Sequence, residues 1–252
     1  MNRRIAIITG GSRGLGKNAA LKLAEKGVDV IFTYHSRQAE ADAVAAEIER
    51  LGGKGVALPL DIGDSTTFAA FAGRVKAELE TNWQRSTIDY LINNAGSGIH
   101  APFGETTEEQ FDLMMNIHLK GVFFLTQSLL PLIADGGRIL NVSSGLTRFP
   151  IPGYAAYASM KGAVEVLTRY LAKELGGRGI SVNVIAPGAI ETDFGGGAVR
   201  DNPDLNAYIA SQTALGRVGQ PDDIGGAIAA LLSADCRWIN AQRIEVSGGM
   251  FI

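Results

Sequence analysis

The chain has 252 residues, 46% of them apolar and 19% charged, which is the composition of a globular protein able to bury a large core and which excludes a disordered chain or a stapled mini-protein. A formal net charge of −3 with no basic run argues against a nucleic-acid or anionic-membrane partner and for small-molecule partners. One cysteine, Cys236, excludes an intrachain disulfide and a multi-cysteine metal site, fits a reducing, cytoplasmic setting, and reads as a small buried filler.

In chain order, Met1-Asn2-Arg3-Arg4 leads straight into a strand-like Ile5–Thr9, so neither a signal peptide nor a membrane span is expected. Further strands are predicted at Val28–Thr33, Gly55–Leu60, Ile88–Ile92, Arg138–Val142, Ile180–Ile185 and Arg243–Val246. Helices are predicted over Lys17–Lys26, Ala39–Leu51, Ser65–Leu79, Glu108–Ile133, Tyr154–Leu175 and Asp222–Ser233. The strands are apolar almost throughout, as required when both faces are covered. The alternation predicts an α/β fold, a Rossmann-type doubly wound parallel sheet of about seven strands with helices on both faces. Thr106-Thr107-Glu108-Glu109 reads as a capping box and Leu51-Gly52-Gly53 as a helix stop. No linker or repeat interrupts the pattern, so one domain over 1–252 is expected. The segment Ala189–Leu215, with Gly195-Gly196-Gly197, carries the least pattern and reads as a substrate lid.

Thr9-Gly10-Gly11-Ser12-Arg13-Gly14-Leu15-Gly16 follows the first strand and precedes the first helix. Glycines at such a joint let the chain turn and let backbone N–H groups face a pyrophosphate. About 20 residues further on, where an acid would bind a ribose 2′-hydroxyl, Tyr34 stands instead. Arg13, Ser36 and Arg37 offer cationic and hydroxyl donors to a 2′-phosphate, which favours NADPH/NADP+ over NAD. Three scattered histidines, His35, His100 and His118, do not suggest a metal site.

These residues resemble the short-chain dehydrogenase/reductase family in its roughly 250-residue subgroup. Thr9–Gly16 is similar to the family's T-G-x-x-x-G-x-G, Asp61-Ile62 to its adenine-contacting pair, and Asn93-Asn94-Ala95-Gly96 to its N-N-A-G. Asn116, Ser144, Tyr157 and Lys161 fall where the family keeps its catalytic tetrad, and Pro187-Gly188 with Ile190 and Thr192 resembles its P-G-x-x-x-T. The resemblance implies cofactor contacts from Gly10, Ser12, Arg13, Gly14, Leu15, Gly16, Ser36, Arg37, Asp61, Ile62, Asn93, Ala95, Gly96, Tyr157, Lys161, Pro187, Gly188, Ile190 and Thr192. It also implies a homotetramer, or a homodimer, packed through Glu108–Ile133, Tyr154–Leu175 and the C-terminal segment.

Tyr157 and Lys161 are four apart on a predicted helix and so share a face. A nearby ammonium favours the ionised phenol, which would bring Tyr157 toward the pH at which it can donate and recover a proton. Ser144 would hold the substrate oxygen, Lys161 the nicotinamide ribose, and Asn116 a water leading to solvent, as the resemblance implies. Tyr154 also shares the face of Lys161, in the seven-residue spacing of the enoyl reductases of the same superfamily; the glycine loop and the thirteen-residue step from Ser144 favour Tyr157. The expected activity is a carbonyl reductase or alcohol dehydrogenase acting on a ketone or secondary alcohol, including a 3-oxoacyl thioester. The alternative is a silent NADPH-binding sensor or scaffold. Phe103, Phe149, Ile151, Tyr154, Phe194 and Tyr208 predict an apolar pocket, with Gly98, His100 and Arg148 available to a polar handle. Trp238-Ile239-Asn240-Ala241-Gln242 departs from the family's Ile-Thr-Gly-Gln and leaves the branch open.

Overall fold

A computed structural model describes residues 3–252. Seven parallel strands, β1 (Arg4–Ile8), β2 (Val28–Tyr34), β3 (Gly55–Pro59), β4 (Ile88–Asn93), β5 (Ile133–Val142), β6 (Ser181–Pro187) and β7 (Arg243–Val246), form one sheet. Their order is β3-β2-β1-β4-β5-β6-β7, so the direction of winding reverses between β1 and β4, where open α/β sheets bind ligands.

Side-chain alternation along each strand feeds two cores. In β1, Ala6 and Ile8 face α1 (Gly14–Glu25), α2 (Gln38–Arg50) and, later in the chain, the helix Pro221–Leu231, through Ala20, Leu23, Val44, Ile48, Ile224 and Ile228. Ile5 and Ile7 face the other layer, where Phe68, Phe71, Val75 and Leu79 of α3 (Phe68–Trp83) meet Leu125, Leu129, Ala172 and Leu175. These side chains are wholly or almost wholly removed from water. Burying one of them contributes about 1.5–3 kcal/mol, so the sheet is held mainly by this two-sided coverage.

The predicted helix over 108–133 is not continuous. It comprises α4 (Glu108–Met115), a π turn (Asn116–Lys120), α5 (Gly121–Leu129) and a short 3₁₀ turn (Leu130–Leu132), after which β5 begins five residues earlier than the sequence suggests. Pro131 lacks the N–H that would extend the helix. The capping box is shifted by one: Thr107 accepts from Gln110 N–H, and the Gln110 side chain accepts from Thr107 N–H.

The segment expected as an irregular lid is partly helical, with α7 (Ala198–Asp201) and α8 (Pro203–Ser211). Asn202 caps α8 by accepting from the N–H groups of Asp204 and Leu205, each at 3.1 Å, and Pro203 starts it. That start signal is visible in the sequence. The long helix α6 (Ala155–Leu175) and the C-terminal helix α9 (Pro221–Leu231) match their expected positions to within a residue or two.

Candidate active site

The carboxyl ends of β1, β4, β5 and β6 open onto a cavity of about 730 Å³. One wall is the glycine loop. Gly10 has φ +68° and Gly14 has φ +55°, and a Cβ at Gly16 would lie 2.1 Å from the Gly10 carbonyl, so the loop requires glycine for conformation and for close approach. Arg13 precedes α1 without a side-chain cap, which leaves the first N–H groups of the helix free for an anion. Asn94 holds the loop in place: its Nδ2 donates to Thr9 O at 2.8 Å, while the N–H groups of Asn94 and Ala95 donate to Thr9 Oγ1, both at 2.9 Å.

Most residues singled out in the sequence converge here. Gly10, Ser12, Arg13, Gly14, Leu15, Gly16, Asp61, Ile62, Ala95, Gly96, Asn116, Ser144, Tyr157, Lys161, Pro187, Gly188, Ile190 and Thr192 line the cavity. Three do not. Asn93 is buried one layer deeper, donating to Thr126 Oγ1 and Asn141 Oδ1, while Asn141 donates to Thr168; this ladder ties β4, β5, α5 and α6 together below the site. Ser36 and Arg37 lie on the exposed surface, and Arg37 pairs with Glu40 at 2.8 Å. Thr33, Tyr34 and His35 line the wall instead. The lining residue Asn94 escaped attention because its neighbour has the same side chain and only the end of the strand decides which one faces outward.

Ser144 ends β5 in extended backbone, its Oγ accepting from Leu146 N–H at 3.2 Å. Behind it, Glu165 Oε1 accepts from Ser143, Thr147 and Arg243 at 2.6, 2.7 and 2.8 Å, and Arg243 also donates to Ser144 O. This half-buried cluster fixes the serine from outside the cavity. Arg148, expected to meet a substrate, is committed elsewhere: it pairs with Glu245 and donates to the carbonyls of Met250 and Phe251, latching the C-terminus over the loop.

Tyr157 and Lys161 stand one helical turn apart on α6, both buried, with the ammonium 5.6 Å from the phenol ring centre. Lys161 Nζ donates to Val142 O at 2.7 Å. Burial alone draws its pKa down to about 8. Burial also pushes the Tyr157 phenol above its ordinary range, with the Ser144 hydroxyl pulling the other way. The expectation that the lysine charge draws the phenol down is therefore not met: burial is the largest influence on both groups. Tyr154 sits at the rim, edge-on to His100 with 5.2 Å between ring centres. Phe194 from the lid reaches over the site, 5.7 Å from the Tyr157 ring centre and packed so closely on Gly98 that a Cβ there would approach it to 2.8 Å.

Asn116 opens the π turn at the cavity wall, half-buried. His118, two residues on, is fully buried and packs edge-on against Tyr157 at 4.9 Å, with Nε2 2.6 Å from Ser97 O. Desolvation, reinforced by the Lys161 charge, lowers its pKa to about 3, so it is neutral across the ordinary pH range. No group of three or more metal-ligating side chains occurs among the described residues, and none of their helices is long and apolar enough to cross a membrane.

A family model described as enoyl-(acyl carrier protein) reductase matches residues 10–251. The chain belongs to the short-chain dehydrogenase/reductase family. It is 37% identical to an uncharacterized oxidoreductase of Methylorubrum extorquens, over 98% of this chain and 97% of the relative. It is 34% identical to a tetrahydroxynaphthalene reductase of Pestalotiopsis fici, over 98% and 91%. Among solved structures, a promiscuous reductase that catalyses keto-reduction at C1 in lugdunomycin biosynthesis superposes with a TM-score of 0.93 at 36% identity, covering 99% and 98% of the two chains. An angucycline C-6 ketoreductase with bound NADP superposes with a TM-score of 0.93 at 35% identity, covering 98% and 95%.

Proposed function

We propose that this protein is an NADPH-dependent ketone reductase, reversible to the alcohol, acting on an apolar cyclic or aromatic ketone. The single observation that carries this reading is the meeting of Ser144, Tyr157 and Lys161 in a cavity whose other wall is the glycine loop. The residues present fit a dinucleotide: the uncapped start of α1 suits the pyrophosphate, and Gly10 and Gly16 permit close approach. Arg13 and His35, with no acid at the end of β2, suit a 2′-phosphate. NADPH, when bound, supplies the hydride.

The chain's own residues do the rest. Ser144 donates to the substrate oxygen and aligns it, a positioning that stabilises developing negative charge. Tyr157 gives its proton to that oxygen, and a phenolate so formed is compensated by the Lys161 ammonium one helical turn away. Lys161 also holds the nicotinamide ribose, and Asn116 lines the route to solvent. Phe194, Phe149 and Ile151 exclude water and provide flat apolar surface. Keto-reduction is named for two of the solved relatives and hydroxynaphthalene reduction for curated ones, which supports a fused-ring ketone over an acyl thioester. Ser144 beside Tyr157, with Tyr154 held at the rim by His100, supports carbonyl reduction over enoyl reduction.

The apolar residues exposed on α4, α5 and α6, including Phe111, Leu113, Phe123, Phe124 and Tyr170, support assembly into a homotetramer or homodimer. Light scattering at micromolar concentration tests the assembly. The activity is tested by following NADPH oxidation at 340 nm with a panel of tetralones, naphthoquinone-derived ketones, 3-oxoacyl thioesters and enoyl thioesters; consumption with the cyclic ketones supports the reading, and consumption only with enoyl thioesters contradicts it.

A further inference from the structure

Phe251, the penultimate residue, has φ +53°, in the left-handed region that side chains other than glycine's rarely adopt. Two backbone hydrogen bonds hold it there. Its N–H donates to Gln212 O at 2.9 Å, just past the end of α8, and its carbonyl accepts from Arg148 Nη1 at 3.2 Å. Arg148 also donates to Met250 O at 2.5 Å and pairs with Glu245 of β7. Backbone held in this region persists where the surroundings over-determine it, typically beside a functional site.

What the placement achieves is the position of one ring. Phe251 leans on Phe149, with 4.9 Å between ring centres and 56° between planes, and the Arg148 guanidinium stands 5.2 Å from the Phe149 ring centre. On its other side Phe149 meets Gly145, where a Cβ would come within 2.8 Å of Cζ. Gly145 directly follows Ser144, and all three residues line the cavity, whereas Phe251 lies behind the lining. Phe149 is thus held between Gly145 and Phe251 as a flat apolar face beside the serine that aligns the substrate oxygen. The same cluster joins Met250 to Leu205 and Ile209 of α8, so the face and the lid share one base.

We propose that Phe251 is a positioning residue for substrate selection: it fixes the Phe149 ring as the platform on which a fused aromatic ring stacks while its ketone oxygen meets Ser144 and Tyr157. A ring bound by stacking gains most when its partner is already fixed, because an untethered side chain would have to be immobilised on binding. Fused-ring ketones therefore benefit from the platform, and a ketone on a single small ring does not need it. This inference deepens the ketone-reductase reading and rests on it for the reacting oxygen, but the platform itself does not depend on turnover.

The test uses Phe251→Gly, Phe149→Leu and the double variant in the full chain. Glycine adopts φ +53° freely and keeps both backbone hydrogen bonds, so this substitution removes the ring and leaves the latch in place. The first readout needs no turnover: 1-naphthol, which carries fused rings without a ketone, is titrated calorimetrically into the NADP+ complex. Its affinity should fall about tenfold in each single variant and no further in the double, since both changes remove the same platform. The second readout is the KM for 1-tetralone against that for cyclohexanone. Phe251→Gly should raise the first about tenfold and the second by less than about threefold. An unmoved naphthol affinity in Phe251→Gly, single losses that add in the double variant, or an equal rise in KM for both ketones overturns the proposal, as does a wild type that binds no naphthol. A wild type that binds naphthol in this Phe251-dependent way but reduces no ketone sinks the reductase reading alone.

Discussion

Lys161 donates a 2.7 Å hydrogen bond to the carbonyl of Val142, across the gap between α6 and the end of β5, and that bond aims a buried ammonium at the Tyr157 ring. The placement is electrostatically costly, and the cost depends on pH. In the folded chain the lysine titrates near 8, against 10.5 when exposed. Below about pH 8 both states hold the proton and the burial penalty is fully present; between about 8 and 10.5 the unfolded state binds more protons, so this group's contribution to stability rises with pH. The Lys161→Met variant should therefore lead wild type in unfolding free energy at pH 7 and lose that lead by pH 10, a swing on the order of 3 kcal/mol measured by denaturant titration.

His118 gives a second pH signature, of opposite placement. Its proton affinity is lowered from 6.5 to about 3, so the unfolded state takes up a proton first as pH falls, and stability is lost between those values. Wild type should lose up to about 1.4 kcal/mol per pH unit below 6 relative to His118→Asn, read from urea midpoints at pH 6, 5 and 4.

The glycine loop makes a steric prediction. A methyl group at Gly16 would meet the Gly10 carbonyl and the Asn94 amide, so Gly16→Ala should cost about 1–3 kcal/mol and weaken binding of both nicotinamide dinucleotides. Gly73→Ala, on the exposed side of α3 with nothing within 4 Å, should leave binding unchanged and serves as the control.

Arg13 separates the two cofactors. It is half-exposed and within 3.8 Å of Asp193, an ion pair too wet to contribute much by itself. Arg13→Ala should weaken NADPH by roughly tenfold, the effect of one lost charge-assisted hydrogen bond, and change NADH little; isothermal titration with each nucleotide checks it. The same arginine links the glycine loop to the lid through Asp193, which Arg200 holds at 2.5 Å. Nucleotide binding should therefore slow amide exchange between residues 194 and 211, and unchanged exchange at saturation would disconnect the lid from the cofactor.

Much of this architecture is legible in the chain because strands covered on both faces are mostly apolar, as Val28–Tyr34 and Ser181–Pro187 are apart from Asp29, Thr33, Ser181 and Asn183. The glycine loop and the Tyr157–Lys161 pair are local patterns and read directly. The interruption of the helix after Met115 is not legible, since its apolar spacing continues through Phe123 and Leu125. Within that π turn His118 faces Tyr157 while Asn116 takes the cavity wall. The contacts behind Ser144 join Ser143 to Glu165 and Glu165 to Arg243, 22 and 78 residues apart, and the lock on Arg148 spans 97 to Glu245. Such pairings are set by sheet order, so an arginine that looks free for substrate in the sequence is already occupied in the fold.

The most direct measurement is a comparison of wild type and Tyr157→Phe, first by NADPH fluorescence titration and then by NADPH oxidation at 340 nm with a fused-ring ketone. The account predicts equal NADPH affinity within about twofold and a kcat lowered by about 10²–10⁴ in the variant. A Tyr157→Phe protein that turns over at the wild-type rate, or a Tyr154→Phe protein that alone is dead, would contradict it.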